Sequence, residues 1–233
     1  MFIYEFFLDE CMKTPIVMIN FKTYASSIGT SAHVLAKICE TVATQTQKSV
    51  SICVSAANVH LGQTLQIPVL SQHVDGTEFG AHTGKLLAVD LAQNGAKGSL
   101  LNHSENQISL EEIKRGIQAC KTANITSVVC ADSVEKAEGI AELSPDYIAF
   151  EPPELIGGDI SVTTKPEVIS KVVDAIHEKN STIHILVGAG VKTRIDVEKA
   201  LELGCQGVLL ASGITKTEKP DEVLRDLVAG LSS

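Results

Sequence analysis

Short runs of apolar and β-branched residues recur along the chain: Ile16 to Ile19, Val50 to Val54, Val69 to Ser71, Ser99 to Leu101, Ser127 to Ala131, Tyr147 to Phe150, Ile183 to Val187 and Gly207 to Leu210, eight in all. They are continuous rather than alternating, which is the pattern of parallel strands buried on both faces. The segments between them carry helix start signals and the 3.6-residue apolar period. Ser109-Leu110-Glu111-Glu112 has the Ser-x-x-Glu form of a capping box, and Ile113, Ile117 and Cys120 continue on one face. Val168, Ile169, Val172, Val173 and Ile176 repeat the stripe ahead of the seventh run. Pro220 stands where a first-turn proline is welcome, followed by Val223, Leu224, Leu227, Val228 and Leu231.

Strand and helix therefore alternate throughout, with no Ser/Pro-rich linker, charge block or low-complexity tract to mark a second domain. The expected class is α/β, and the units can close into a (β/α)8 barrel or form an open doubly wound sheet. An open sheet of the dinucleotide type would place Gly-x-Gly-x-x-Gly after its first strand, whereas here that strand runs into Asn20-Phe21-Lys22. Gly188-Ala189-Gly190 comes late and has Thr193 where the third glycine belongs. It follows the seventh strand, where barrels commonly bind phosphate. At 233 residues the chain has the length of a single barrel, roughly 250 residues. Residues 14–233 are read as the barrel and 1–13 as an N-terminal extension.

Charge and cysteine usage narrow the function classes. A net charge of −9 and a pI near 5.2 exclude the clustered basic footprint of nucleic-acid binding. They leave room for a small anionic substrate, because one Lys and a few backbone N–H groups supply positive potential locally. Six cysteines without Cys-x-x-Cys spacing point to neither a zinc site nor a disulfide framework, and fit a reducing cytoplasm. No metal or organic cofactor is expected. The N-terminal MFIYEFFLDECM lacks basic residues before its apolar part and lacks a small-residue cleavage site, so it does not read as a signal peptide. No apolar run approaches the ~20 residues of a membrane span.

Active sites of such barrels lie at the C-terminal ends of the strands. Asn20 and Lys22 follow the first run, His103 the fourth and Glu151 the sixth. Singly, a lysine after a strand is ordinarily a solvated cation, and a lone histidine a core or capping residue. Together at one mouth, a Lys, a His and a Glu form a proton-transfer set.

Five segments resemble the triosephosphate isomerase family in order and position. They are Asn20-Phe21-Lys22, Gly80-Ala81-His82-Thr83-Gly84, Asn102-His103-Ser104-Glu105, Glu151-Pro152-Pro153-Glu154-Leu155-Ile156-Gly157, and Gly207-Val208-Leu209-Leu210-Ala211-Ser212-Gly213. The resemblance runs from about Thr14 to the end of the chain. Its compact length and its Glu-Pro-Pro-Glu-Leu-Ile-Gly are similar to the archaeal branch.

The resemblance implies interconversion of dihydroxyacetone phosphate and glyceraldehyde 3-phosphate through an enediolate. It assigns Glu151 as base, His103 as electrophile and proton shuttle, and Lys22 as stabiliser of the negative oxygen, with Asn20 holding substrate. Phosphate would meet N–H groups around Ile156 and Gly157, at Gly188 and Gly190, and at Ala211 and Ser212. Glu105 would support the site, and the segment Pro152 to Asp159 would be a lid that excludes water. Thr83 sits where the family's interface loop reaches a neighbouring subunit, which implies a homo-oligomer, dimer or tetramer. The chain departs from the family at Val187-Gly188-Ala189-Gly190, where many members have Tyr-Gly-Gly-Ser, and at Ala211-Ser212 in place of Gly-Gly. The alternatives are another phosphate-binding barrel isomerase or lyase, which leaves the set Lys22, His103 and Glu151 unexplained, and a non-catalytic scaffold, which would be expected to have lost one of them.

Overall fold

The computed structural model describes residues 12–152 and 165–231. Its eight strands are β1 (Ile16–Asn20), β2 (Ser49–Val54), β3 (Val69–Ser71), β4 (Gly98–Leu101), β5 (Thr126–Ala131), β6 (Tyr147–Phe150), β7 (His184–Val187) and β8 (Gly207–Leu210). Each pairs in parallel with the next, and β8 pairs with β1, so the sheet closes into a barrel. All eight apolar runs are strands. The seventh starts one residue later than the sequence pattern, at His184, whose N–H donates to the Asp146 carbonyl.

The described helices are α1 (Gly29–Thr46), α2 (Ala88–Gln93), α3 (Leu110–Thr122), α4 (Val134–Ala141), α5 (Pro166–Lys179), α6 (Arg194–Glu202), α7 (Ser212–Thr215) and α8 (Pro220–Ala229). The Ser109 capping box forms: its hydroxyl accepts from the Glu112 N–H, while the Glu112 carboxylate accepts from the Ser109 N–H. Pro220 is at the first turn of α8, and Leu224, Leu227 and Val228 are buried beneath it. Between β2 and β3 the amphipathic pattern is weakest, and the chain makes a 3-10 turn over Ala56–Gln63 instead of an α-helix. There Gly62 packs directly on Gly95, whose carbonyl oxygen would lie 2.1 Å from any added Cβ.

The buried residues fall into two layers, because strand side chains point alternately to opposite faces. One layer lies between strands and helices and holds Val17, Ile19, Ile52, Val129, Ile148 and Val208. The other fills the barrel interior, with Ile16 and Met18 of β1, Leu70, Leu100, Val128, Cys130, Tyr147, Ala149, Leu186 and Leu209, closed at the bottom by Met12. The Tyr147 hydroxyl donates to the Met12 carbonyl at 2.9 Å. Among the described residues five cysteines are free and buried. Burial pushes the thiols of Cys39, Cys120 and Cys205 up to about 12, so these are packing groups and not nucleophiles. Among the described residues no helix is long and apolar enough to cross a membrane.

Candidate active site

The period of two that fills the barrel also decides which residues face its mouth. Two positions beyond Met18 is Asn20, beyond Leu100 is Asn102, beyond Ala149 is Glu151, beyond Leu186 is Gly188, and beyond Leu209 is Ala211. Asn20, Asn102 and Glu151 are polar yet buried, at 5%, 8% and 6% exposure. Such burial demands partners, and for the two asparagines they are visible. Asn20 Oδ1 accepts from the Lys22 N–H at 3.0 Å and from Gln72 Nε2 at 3.2 Å. The Asn102 amide donates to the Cys130 carbonyl at 2.9 Å and accepts from the Ile108 N–H at 3.0 Å.

These bonds hold two backbones in the left-handed region, Lys22 at φ 51° and Asn102 at φ 57°. Lysine has no intrinsic liking for that conformation, which costs of order 1–3 kcal/mol and persists only where surroundings enforce it. Asn20 and Gln72 enforce it here, the latter also donating to the Lys22 carbonyl at 3.0 Å. The Lys22 ammonium then reaches the Glu105 carboxylate at 2.7 Å. Asn102 likewise turns the chain so that His103 enters the mouth.

The loop after β4 forms a turn, closed by the Asn106 N–H on the His103 carbonyl at 2.7 Å, and not a helix; α3 starts only at Leu110. The Glu105 N–H donates to His103 Nδ1 at 3.1 Å. That nitrogen is thus the acceptor, and in the neutral ring the proton is on Nε2. Nε2 lies 3.7 Å from Glu151 Oε1. Burial lowers the His103 pKa below its ordinary value, and the nearby Lys22 charge lowers it further. The imidazole is neutral at neutral pH.

Burial also pushes the Glu151 carboxyl up to about 7, opposed by Lys22 and assisted by Glu105. Its Oε2 is buried without a hydrogen-bond partner among the described residues. Gly188 stands against it: a Cβ there would meet Glu151 Cγ at 2.3 Å, so only glycine leaves room for the carboxylate. Gly190 turns at φ 71°, and Ala211 precedes α7, whose first residue is Ser212. Thr83 is exposed. Ile156, Gly157 and most of the lid lie outside the described residues. Among those described, no group of three or more His, Cys, Asp or Glu side chains is placed to hold a metal ion.

A buried carboxyl with a raised pKa, a neutral imidazole and an ammonium, gathered from β6, β4 and β1 of a closed barrel, narrow the search for relatives. The family model for triosephosphate isomerase matches residues 15–229. The chain belongs to the triosephosphate isomerase family. It is 44% identical over 218 residues to the triosephosphate isomerase of Archaeoglobus fulgidus, covering 93% of this chain and 98% of that one. It is 43% identical over 222 residues to that of Methanothermobacter thermautotrophicus, covering 94% and 97%. Both relatives are archaeal, in line with the branch read from the sequence. The barrel is similar to the crystal structure of triosephosphate isomerase from Bartonella henselae, with a TM-score of 0.66 at 20% identity, over 85% of this chain and 92% of that one.

Membership of the triosephosphate isomerase family separates the chain from the other phosphate-binding barrels weighed above. Sequence reading missed Gln72, the turn-forming bonds of Asn102, which it had only as part of a motif, and the contact of Gly188 with Glu151. Gln72 directly follows β3, so its position at a strand end was the available signal.

Proposed function

We propose that the chain interconverts dihydroxyacetone phosphate and D-glyceraldehyde 3-phosphate, with Glu151 as the base. The observation that carries the reading is the buried pair Glu151 and His103, Oε1 to Nε2 at 3.7 Å, beside the Lys22 ammonium. Ionised Glu151 removes a proton from the carbon next to the carbonyl. The electron pair moves into a carbon–carbon double bond, and the carbonyl oxygen becomes an enediolate oxygen. His103 Nε2–H protonates that oxygen and then takes the proton of the hydroxyl on the adjacent carbon, which becomes the new carbonyl. Lys22 stabilises the negative charge throughout, and the proton on Glu151 is delivered to the former carbonyl carbon. Asn20 acts chiefly on Lys22, and Glu105 on both Lys22 and His103 through the bonds described above. Phosphate is gripped by N–H groups of Ala189 and Gly190, Ala211 and Ser212, with Ile156 and Gly157 from the lid. The Gly188 N–H, expected among them, donates instead to the Phe150 carbonyl at 2.8 Å.

Turnover of glyceraldehyde 3-phosphate in D2O tests this directly, since a proton held on Glu151 exchanges with solvent. Deuterium on carbon in the product is expected. Turnover without any deuterium incorporation would rule out the carboxylate route.

The pH profile follows from the carboxyl near 7. The base works only when ionised, so kcat/KM should fall about tenfold per pH unit below that value and level off above it. Burial shifts the His103 titration downward, away from this limb. Substrate phosphate ionises near ~6, so the two limbs are separable when the substrate's own titration is measured. A flat profile between about pH 5.5 and 8 would remove Glu151 from the role.

The working unit is residues 14–233 in a cytoplasmic homo-oligomer. The exposed loop carrying Phe79, 80% exposed, and Thr83 supports assembly, and the five buried free thiols support a reducing compartment. Light scattering on a sizing column separates dimer from tetramer. Residues 1–11 carry no site residue, so a chain starting at Met12, which keeps the Tyr147 bond, should retain wild-type kcat/KM. Loss of soluble enzyme in that truncation would assign the segment a packing role.

A further inference from the structure

Pairing of β1 with β8 ends at Ile19 and Leu210, and beyond that point the two strands lead into different parts of the site. One continues to Lys22, the other to Ala211 and α7. Two side-chain contacts join them again. Lys216 Nζ sits over the Tyr24 ring, 4.5 Å from its centroid, and the Ser26 hydroxyl donates to the Thr215 carbonyl. Thr215 is buried and its own hydroxyl donates to the Ala211 carbonyl at 3.1 Å, so the Ser26 bond bears on the whole turn that begins at Ala211. On the other side, the Ser27 hydroxyl donates to the Phe21 carbonyl, just ahead of Lys22.

We propose that Tyr24, Ser26 and Lys216 form a clasp of positioning residues that holds the Lys22 ammonium in register with the Ala211–Ser212 backbone. This rests on the isomerase reading above, in which those backbone groups hold phosphate. Lys22 occupies a backbone conformation that its own chemistry does not favour. Asn20 and Gln72 fix it from the side of the strands. Only a tie on the loop side sets its distance from the phosphate end. A substrate anchored by phosphate then presents its carbonyl oxygen to an ammonium already in place, and binding energy from the non-reacting end is converted into rate. A substrate without phosphate cannot use that registration.

The test compares D-glyceraldehyde 3-phosphate with unphosphorylated D-glyceraldehyde in the Ser26→Ala/Lys216→Met double variant. Both side chains are at the surface, and circular dichroism checks the fold. With one hydrogen bond and one cation–π contact removed, kcat/KM for the phosphorylated sugar should fall roughly tenfold. Most of the fall should be in kcat, while turnover of glyceraldehyde stays within about twofold of wild type. Lys216→Arg should keep wild-type behaviour, since a guanidinium also stacks on an aromatic ring. The single Lys216→Met variant should show the same split at about threefold, which guards against a folding defect in the double variant. Equal losses on both sugars would mean that the contacts only support Lys22 locally, and would overturn the proposal. So would unchanged kinetics on both. A wild-type chain inactive on both sugars would sink the isomerase reading itself, before any variant is compared.

Discussion

Replacing Glu151 by Asp is expected to lower kcat about 10²-fold while KM changes far less. The substitution keeps the charge and withdraws the carboxylate by one methylene, on the order of 1 Å, and proton abstraction depends on a near-attack geometry that binding does not restore. Two features prevent the shorter side chain from compensating. Glu151 directly follows β6, whose strand pairs on both sides fix its backbone. Its Cγ also rests against Gly188, which leaves the longer side chain just enough room. The substrate's phosphate is held elsewhere, so affinity should survive. Steady-state kinetics on a variant shown by circular dichroism to be folded would decide the point. A kcat within about threefold of wild type, well short of the loss expected for a displaced base, would mean that another group takes the proton.

The fold was legible because each of its devices is local in sequence. Continuous apolar runs such as Tyr147 to Phe150 become strands buried on both faces, and Ser109 with Glu112 writes the start of α3 into four residues. The three chemical residues were legible for a related reason: each stands just past a run whose burial fixes where the next side chains point. What the sequence did not disclose was how distant segments meet. Gln72 lies 50 residues from Lys22, and only the parallel pairing of β1, β2 and β3 brings its amide to the Lys22 carbonyl. Asn102 read as part of a motif, whereas in the fold its side chain bridges β5 and the start of α3 and forces the turn that delivers His103. Gly188 read as a phosphate donor because it belongs to a Gly-x-Gly, whereas its N–H donates to the Phe150 carbonyl and its α-carbon packs on Glu151 at the end of the adjacent strand. Thr193 read as the failed third glycine of that pattern. It is the residue ahead of α6, its N–H and hydroxyl both donating to Asp196.

Lys22→Met is expected to reduce kcat/KM by on the order of 10³-fold, the scale of losing a charged group aimed at a developing oxyanion, with little change in stability. Methionine keeps most of the stem's volume. The ion pair that it removes, Lys22 with Glu105, has side-chain exposures of 22% and 61%, and so exposed a pair contributes about 0–1 kcal/mol. The strained backbone is held by Asn20 and Gln72 through main-chain atoms, which methionine retains. The same substitution carries a second, signed consequence. The Lys22 charge lowers the pKa of both Glu151 and His103, so its removal lets both rise. Residual activity should then lose its base at a higher pH than wild type, shifting the acid limb upward from about 7. Lys22→Arg keeps the charge and should leave that limb in place even if the altered shape costs rate. A Lys22→Met enzyme with wild-type kcat/KM would remove the ammonium from the chemistry. Lost activity with an unmoved acid limb would mean that Lys22 acts on the substrate oxygen without setting the charge environment of the base.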